Sequence, residues 1–238
     1  MAKVVAVIPA RYAATRLPGK PLLKESGKYL VQHVYEAAAS CRKIDRVVVA
    51  TDDERIAQAV RSFGGEARLT SPAHPNGTSR IAEVAEQLDA EVVLNVQGDE
   101  PELPAHILES LVEAAREAPM ATLATPFTDL READLPQRVK VVLDRTGHAL
   151  YFSRSRIPHG DGSPLLHLGL YGFQRRFLLE FAKLPPAPLE SAERLEQLRA
   201  LEHGFRIKVG IVAWRSFGGI DTPQDYREFL KRLRERGT

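Results

Sequence analysis

The chain has 238 residues, of which 27% are charged and 44% hydrophobic, with a formal net charge of +2 at pH 7. These values lie in the ordinary globular range and exclude a disordered, collagen-like or disulfide-dense protein, and a chain of this length buries roughly 70–75% of its unfolded surface without covalent staples. Six cationic residues but only one carboxylate fall within the first 30 residues, which favours a small polyanionic ligand near the N-terminus over a nucleic-acid partner.

Apolar runs of strand length alternate with helical patterns in the first half of the chain. The strand-like runs are Lys3–Pro9, Arg46–Thr51 and Glu91–Val96. Because they lack polar alternation, they are typical of strands buried on both faces. Apolar residues with a 3.6-residue period predict helices over 30–41 and 107–115. The succession of strand, helix and strand predicts an α/β fold with a mostly parallel sheet and helices on both faces.

The second half of the chain is richer in strand patterns. Strand-like runs occur at Ala121–Phe127, Val139–Leu143, His148–Phe152, Leu166–Phe173 and Arg206–Ala213. A helical stretch is predicted at Ser191–His203, and a final helix carries Tyr226, Phe229, Leu230 and Leu233 on one face. The Pro-Pro-Ala-Pro sequence at 185–188 is too short to separate domains. We therefore predict a single domain over residues 1–238, with a β-rich segment in its second half.

Two features of the sequence predict a cytoplasmic protein. The apolar run at 4–8 ends at Pro9 and Arg11, so it is too short and too soon charged for a signal peptide or a membrane span. Cys41 is the only cysteine and has no internal partner for a disulfide bond. We therefore expect no membrane partner.

The loop after the first predicted strand carries three cations, Arg11, Arg16 and Lys20. It lacks the glycines of a dinucleotide-binding turn, and Ala14 and Pro21 replace residues that a P-loop requires. These differences argue against a nicotinamide enzyme and a P-loop ATPase. Since ligands of open α/β sheets collect at the carboxyl ends of the strands, we interpret the three cations as a phosphate clamp. The alternative is a solvated basic loop.

Acidic residues follow the third predicted strand and precede the last helix. Asp99 belongs to the sequence Asn-Val-Gln-Gly-Asp-Glu-Pro at 95–101, and its hard oxygens at a strand end suit Mg²⁺. Such acids also interact favourably with the N-terminus of a helix, here the one that begins near Pro104. Asp221 precedes Thr222, a candidate cap of the last helix, and Asp225 lies where the acidic residue of a capping box would. Asp221 therefore either shares a metal ion with Asp99 or occupies a turn.

Other polar residues have structural as well as functional explanations. Period-two alternation puts His167 and Tyr171 on one strand face, where they can bind the hydroxyl groups of a polyol or simply pack together. Arg154 can pair with a carboxylate. The residues for which helix capping, a turn or solvent exposure is an equally simple explanation are Arg80, Glu196 and Gln197.

A series of sequence blocks follows the order and spacing of one protein family. The blocks are IPARYAATRLPGKPL from Ile8, ATD from Ala50, HPNGTSRIAEV from His74, NVQGDEP from Asn95, KVVLD from Lys140, YFSRSRIP from Tyr151, HLGLYGF from His167, LEQLRALEHG from Leu195 and GIDTPQDY from Gly219. Together they resemble the 3-deoxy-manno-octulosonate cytidylyltransferase (CMP-Kdo synthetase) family over nearly the whole chain. The departures are a short loop between Pro158 and His167, and Ser79 and Gln224 in place of usually acidic residues.

The resemblance implies a Rossmann-like nucleotidyltransferase fold with a β-rich segment for dimerisation and substrate binding. It also implies an activity: transfer of CMP from CTP to the anomeric 2-hydroxyl group of the sugar acid Kdo, with release of pyrophosphate, for lipopolysaccharide biosynthesis. Members of the family are commonly dimers, which implies a homodimer.

The resemblance further implies roles for individual residues. Arg11 and Lys20 would neutralise the triphosphate, and Asp99 and Asp221 would hold a Mg²⁺ ion that lowers the pKa of the attacking hydroxyl group. Cytosine would be read near Arg80 and the loop after Pro9, which contains Arg16. The residues implied to line the sugar-acid site are Gln97, Arg154, His167, Tyr171, Glu196 and Gln197.

Two alternative functions remain at this point. A CMP-sialate synthetase-like enzyme would share the fold, and the HLGLYGF and LEQLR blocks argue against it. A catalytically silent nucleotide-binding regulator would be expected to lose Lys20, Asp99 or Asp221, and all three are present.

Overall fold

A computed structural model of the chain describes residues 3–13, 17–160, 162–214 and 218–236. In these ranges nine strands form one sheet. They are β1 (Val4–Ala10), β2 (Arg46–Thr51), β3 (Ala67–Leu69), β4 (Val92–Asn95), β5 (Met120–Pro126), β6 (Lys140–Leu143), β7 (Ala149–Ser153), β8 (Leu165–Gln174) and β9 (Ile207–Ile211).

The sheet is mixed, with most strands of its main path parallel. Its order is β3-β2-β1-β4-β8-β5-β9, and β6 extends it by pairing with β8 and β7. The neighbours β1–β2, β2–β3, β1–β4 and β5–β9 are parallel, whereas β8 is antiparallel to β4 and to β5. Every described strand of the main path except β8 therefore points in the same direction, which confirms the predicted mostly parallel sheet.

Eight α-helices lie in the described ranges. They are α1 (Leu30–Ala39), α2 (Glu54–Ser62), α3 (Gly77–Glu86), α4 (Ala105–Glu117), α5 (Arg175–Phe181), α6 (Pro188–Glu193), α7 (Leu198–Glu202) and α8 (Pro223–Glu235). Short 3-10 helices occur at Lys20–Leu22 and Leu130–Asp134. None of the helices in the described part of the chain has the length and apolar character needed to traverse a bilayer.

Helices cover both faces of the sheet, as the continuous apolar strands predict. In β1, Val4, Ala6 and Ile8 pack on the core that also contains buried residues of α1, α2 and α4. The alternate residues Val5 and Val7 pack on the opposite core, with α3, α5 and α7. Because both faces of β1 are covered, each position of the strand gains from burial, by roughly 1.5–3 kcal/mol for a fully buried Val or Ile side chain.

The predicted helix at 191–203 is wrong in one respect: the segment forms two helices, α6 and α7. Arg194 ends α6 with φ 54°, in the left-handed region, which an α-helix cannot continue through. The turn that follows redirects the next side chains inward, so that Gln197 is only 2% exposed. The break therefore removes Gln197 from the solvent-facing helical position that periodicity gives it.

The parallel pairing of β1 with β4 brings two predicted site loops to one sheet edge. Val7 is paired with Asn95, so the loops that follow these strands leave the sheet side by side. Gly98 lies so close to β1 that a Cβ atom at this position would be 2.7 Å from the carbonyl oxygen of Pro9. The main-chain N–H of Ile220 donates to the carbonyl oxygen of Asp99 at 2.9 Å. Three segments remote in sequence therefore meet at this edge.

Candidate active site

Lys20 forms hydrogen bonds with both aspartates that the sequence analysis predicts as metal ligands. Its Nζ donates to Asp99 Oδ2 at 2.8 Å and to Asp221 Oδ1 at 3.3 Å. The Lys20 side chain is 12% exposed, whereas those of Asp99 and Asp221 are 26% and 39% exposed. Two carboxylates and one ammonium group therefore meet at a partly buried position where a ligand has access.

The loop before α8 is built so that Asp221 can reach this position. Thr222 caps α8 by accepting from the N–H of Asp225, and the Asp225 carboxylate accepts in return from the main-chain N–H groups of Asp221 and Thr222. The predicted capping box is thus confirmed. A Cβ atom on Gly219 would lie 3.1 Å from Asp99 Cγ, so this position requires a glycine or a shift of the aspartate.

A cavity of about 220 Å³ opens beside Lys20 and Asp99, with Arg11, Gln97 and Gly98 also in its wall. Arg11 donates from a terminal guanidinium nitrogen to the carbonyl oxygen of His74 at 3.0 Å. Burial, followed by the nearby positive charge of Arg80, lowers the pKa of Arg11. The cationic wall formed by Arg11 and Lys20 suits a polyphosphate.

The structure does not test the predicted roles of Gln97 and Arg16. Gln97 lies in the wall of the 220 Å³ cavity, whereas the resemblance assigns it to the sugar-acid site. Arg16 lies outside the described residues.

A second cavity, of about 330 Å³, is lined by three of the predicted sugar-acid residues, His167, Tyr171 and Gln197, and by Glu100. Asp99 lines the first cavity and Glu100 the second, so the two cavities adjoin at consecutive residues. A ligand in each can therefore approach the position that Lys20 and the aspartates share.

His167 is a neutral hydrogen-bonding group whose tautomer is set by a threonine. Its Nε2 lies 2.9 Å from Thr122 Oγ1, and this hydroxyl group also lies 2.7 Å from the carbonyl oxygen of Leu170. Since the hydroxyl group has one proton, which it donates to the main chain, it accepts from His167 Nε2. Burial lowers the pKa of His167 to about 3. Its Nδ1 is therefore an acceptor at neutral pH.

We expect His167 to make the protein sensitive to mild acid. Its folded-state pKa of about 3 lies below the unfolded value near 6.5, so acidification protonates the unfolded chain first. The contribution of neutral His167 to the free energy of unfolding is complete above pH 6.5. It is lost as the pH falls toward 3, by up to about 1.4 kcal/mol per pH unit. Urea unfolding at pH 7 and pH 5 should show a loss about 2 kcal/mol larger for the wild type than for His167→Gln. Equal losses in the two proteins would contradict the neutral, buried state of the ring.

Glu196 ties the turn between α6 and α7 to the start of α3. Its Oε1 accepts from Asn76 Nδ2 at 2.7 Å and its Oε2 accepts from Thr78 Oγ1 at 2.6 Å. Burial raises the pKa of Glu196. Asn76 also caps α3 by accepting from the N–H of Ser79 at 2.8 Å. Glu196 therefore fixes the turn that places Gln197 in the second cavity.

The structure does not bring Arg80 or Arg154 to either cavity wall. Arg80 is 0% exposed and donates to Asp52 Oδ2 at 2.7 Å. Arg154 donates from its guanidinium group to the carbonyl oxygens of Glu193 and Pro136, at 2.7 and 3.1 Å. Neither guanidinium group lines a cavity in which it could contact cytosine or a substrate carboxylate, so those two roles stay predictions.

The sequence arguments left out two cavity residues. Glu100 belongs to one of the sequence blocks that carry the resemblance, but the metal role is assigned to its neighbour Asp99. The signal in the sequence for Glu100 is its position after the end of a predicted strand. Arg138 lies in the wall of the second cavity and forms a 3.1 Å ion pair with Glu132. Arg138 lies just before a predicted strand and belongs to no motif, so the sequence does not identify it as a cavity residue.

Comparison with known proteins supplies the relationship of the whole chain. The cytidylyltransferase family profile matches residues 5–207. A 3-deoxy-manno-octulosonate cytidylyltransferase from Anaeromyxobacter dehalogenans is 52% identical over 94% of this chain and 95% of its own. An 8-amino-3,8-dideoxy-manno-octulosonate cytidylyltransferase from Shewanella frigidimarina is 46% identical over 97% of this chain and 98% of its own.

A solved structure resembles the fold along its whole length. It is that of CMP:2-keto-3-deoxy-manno-octonic acid synthetase complexed with CTP. The two chains are 41% identical with a TM-score of 0.95, and the match covers 99% of this chain and 100% of the other.

Proposed function

Because the chain belongs to the 3-deoxy-manno-octulosonate cytidylyltransferase family, we propose that it transfers CMP from CTP to Kdo and releases pyrophosphate, for lipopolysaccharide biosynthesis. One observation carries the assignment of the reacting centre. Lys20 contacts Asp99 and Asp221 where a cationic cavity adjoins one lined by hydrogen-bonding groups. These two cavities match the chemistry of a triphosphate and of a polyhydroxylated acid.

The reaction forms one bond to phosphorus and breaks another. The anomeric hydroxyl oxygen of Kdo attacks the α-phosphorus of CTP, its proton is lost, and the bond from the α-phosphorus to the bridging oxygen of pyrophosphate breaks. Negative charge grows on the pyrophosphate during this step. Arg11 and Lys20, in the wall of the first cavity, would stabilise that charge, since such transfers are catalysed mainly by positioning and electrostatics.

The donor set at Lys20 fits Mg²⁺. Two carboxylate oxygens, of Asp99 and Asp221, lie within 3.3 Å of one ammonium nitrogen and thus converge on one small volume. No group of three His, Cys, Asp or Glu side chains that could hold a metal ion lies in the described ranges, but Mg²⁺ commonly takes only one or two carboxylates and completes its shell with phosphate and water. Asp99 and Asp221 would hold the ion. When bound, Mg²⁺ lowers the pKa of the attacking hydroxyl group and neutralises phosphate charge.

Hydrogen-bonding groups of the second cavity would orient the sugar acid. His167 Nδ1 would accept a hydrogen bond from a hydroxyl group, while Gln197 Nε2 and the Tyr171 hydroxyl group would donate. Burial raises the pKa of Tyr171, so its proton is retained for donation. The Glu196 carboxylate, held by Asn76 and Thr78, would keep Gln197 in place.

A substrate panel tests the proposed function. Pyrophosphate release is measured with CTP or UTP against Kdo, its 8-amino relative and sialic acid. We expect turnover with CTP and Kdo, and a value of kcat/KM at least about 100-fold lower with UTP, because a site that pairs with one base leaves its polar groups unpaired against the other. A higher kcat/KM for the 8-amino sugar would assign the chain to that branch of the family. Absence of release with every octulosonate would contradict the proposal.

We also propose a homodimer formed through the β-rich segment. Its support is the exposure of large apolar side chains there: Leu130, Leu135 and Leu150 are 52%, 41% and 62% exposed, and exposed apolar surface is a feature of subunit interfaces. Sedimentation equilibrium should give twice the chain mass of 26.4 kDa. A mass equal to a single chain would contradict the dimer.

A cytoplasmic location is part of the same proposal. Its support is Cys41, a buried free thiol, since reduced cysteines are usual in the cytosol. Fractionation of cells that express the chain should recover the activity with the cytosolic marker. Recovery with the periplasmic fraction would contradict this location.

A further inference from the structure

Glu100 lines the second cavity and has an unpaired carboxyl oxygen. Its Oε2 is buried and has no hydrogen-bond partner among the described residues. The main chain around it is fixed, because the N–H of Glu100 donates to the carbonyl oxygen of Gln97 at 3.2 Å and Pro101 follows. A buried carboxyl oxygen without a partner has a cost in free energy.

The described cations that line the two cavities near this carboxyl group have other partners. Lys20 is hydrogen-bonded to Asp99 and Asp221, and Arg138, which lines the same cavity, is paired with Glu132. An apolar residue at this position would avoid the desolvation cost. A structural role thus gives no reason for an acid here, whereas a ligand with a hydrogen-bond donor does.

A second residue of the same cavity wall has an unpaired hydrogen-bond donor. Gln197 is 2% exposed, and its Nε2 has no partner within the described ranges. Buried polar groups in native proteins are usually hydrogen-bonded, so two unpaired ones in one cavity point to a polar occupant. A ligand hydroxyl group both donates and accepts, and a polyhydroxylated ligand can satisfy Glu100 and Gln197 together.

We propose that Glu100 accepts a hydrogen bond from a hydroxyl group of the sugar acid and so orients that substrate beside Asp99. This inference rests on the proposed function, which names the sugar acid. It adds a substrate contact at the residue that follows Asp99, where the two cavities adjoin. The bond satisfies Oε2 and makes the affinity of the sugar depend on this carboxylate.

The test compares the wild type with Glu100→Gln, which keeps the size of the side chain and removes its charge. The Gln oxygen still accepts a hydrogen bond, but a charged acceptor makes a hydrogen bond roughly twice as strong as a neutral one, so we expect kcat/KM for Kdo to fall about 10-fold. The KM for CTP and the Mg²⁺ concentration for half-maximal rate should change less than about twofold. Without substrates, the melting temperature should be equal or higher, because a buried unpaired charge is removed.

A matched control is Glu102→Gln, from the same loop. Glu102 is paired with Arg232 and Arg236 and is absent from the lining of both cavities. This variant should lose stability and keep the wild-type KM for Kdo.

Three results would overturn the inference. The first is an unchanged KM and kcat/KM for Kdo in Glu100→Gln. The second is an equal rise of KM for both substrates. The third is a lowered melting temperature together with an equal fall of kcat/KM for both substrates, which a structural role predicts. A wild type that fails to turn over Kdo would instead contradict the proposed function.

Discussion

Replacement of Asp99 by Asn should abolish pyrophosphate release from CTP and Kdo, with kcat lower by about 10³-fold or more. Asp99 contributes one of the two carboxylates that converge on Lys20 Nζ. Asn has the same shape but loses the charge that would hold Mg²⁺ and keep Lys20 in place. Removing a single electrostatic contact of this type lowers kcat by about 10²–10³-fold, and Asp99 would make two such contacts, one with Mg²⁺ and one with Lys20. Steady-state release of pyrophosphate at saturating CTP, Kdo and Mg²⁺ measures the loss.

Asp99→Asn should remain folded. The contact of Asp99 that orders the last loop is made by its main-chain carbonyl oxygen, which accepts from Ile220 and survives the substitution. The control is Asp89→Asn: Asp89 is 88% exposed and paired with Lys3, remote from both cavities, and its loss should leave kcat unchanged. Near-normal turnover by Asp99→Asn, or an equal loss in Asp89→Asn, would contradict the assignment of Asp99.

Replacement of Asp52 by Ala should lower the free energy of unfolding by about 3–5 kcal/mol. Asp52 accepts from Arg80 at 2.7 Å, and the Arg80 side chain is 0% exposed. Without Asp52, the guanidinium group would keep Thr70 Oγ1 as a neutral partner but would lose its hydrogen-bonded counterion. Breaking a buried ion pair by removal of one partner costs 3–5 kcal/mol. Urea or guanidinium unfolding at pH 7 measures the change.

The reverse substitution and an exposed pair serve as controls for Asp52→Ala. Arg80→Met removes the buried charge and leaves Asp52, which is 19% exposed, partly hydrated, so the loss should be smaller. Glu66 pairs with Arg46 at the surface, and Glu66→Ala should cost no more than about 1 kcal/mol. A loss below about 1 kcal/mol in Asp52→Ala would mean that Arg80 does not depend on this pair and is available to a nucleotide.

Much of the fold could be predicted because its strands are buried on both faces. The run Arg46–Thr51 coincides with β2, and β1 is displaced by one residue from its predicted range. A strand covered on both sides is apolar throughout, and this property is local in sequence. The left-handed backbone of Arg194 is different, because no glycine signals it and it persists only through contacts of the folded chain.

The candidate site could be predicted less completely. Asp221 was identified because helix capping accounts for Thr222 and Asp225 and leaves Asp221 without a structural role. The position of Lys20 between the aspartates had no signal, since it depends on three loops meeting at one edge of the sheet. The burial of Arg80 likewise depends on Asp52 and Thr70, partners that only tertiary structure supplies. Long-range pairing of charged side chains is not encoded in periodicity or composition.

The ammonium group of Lys20 acts as a tethered counterion. Two carboxylates alone would carry two negative charges at short separation and repel each other, whereas the trio of Lys20, Asp99 and Asp221 carries one. A bare divalent cation would therefore meet two carboxylates whose charge is half neutralised and would have to displace the lysine ammonium group. A cation complexed to a triphosphate would bring new anions to which the lysine can transfer, so we expect the enzyme to bind the metal–nucleotide complex in preference to the free ion.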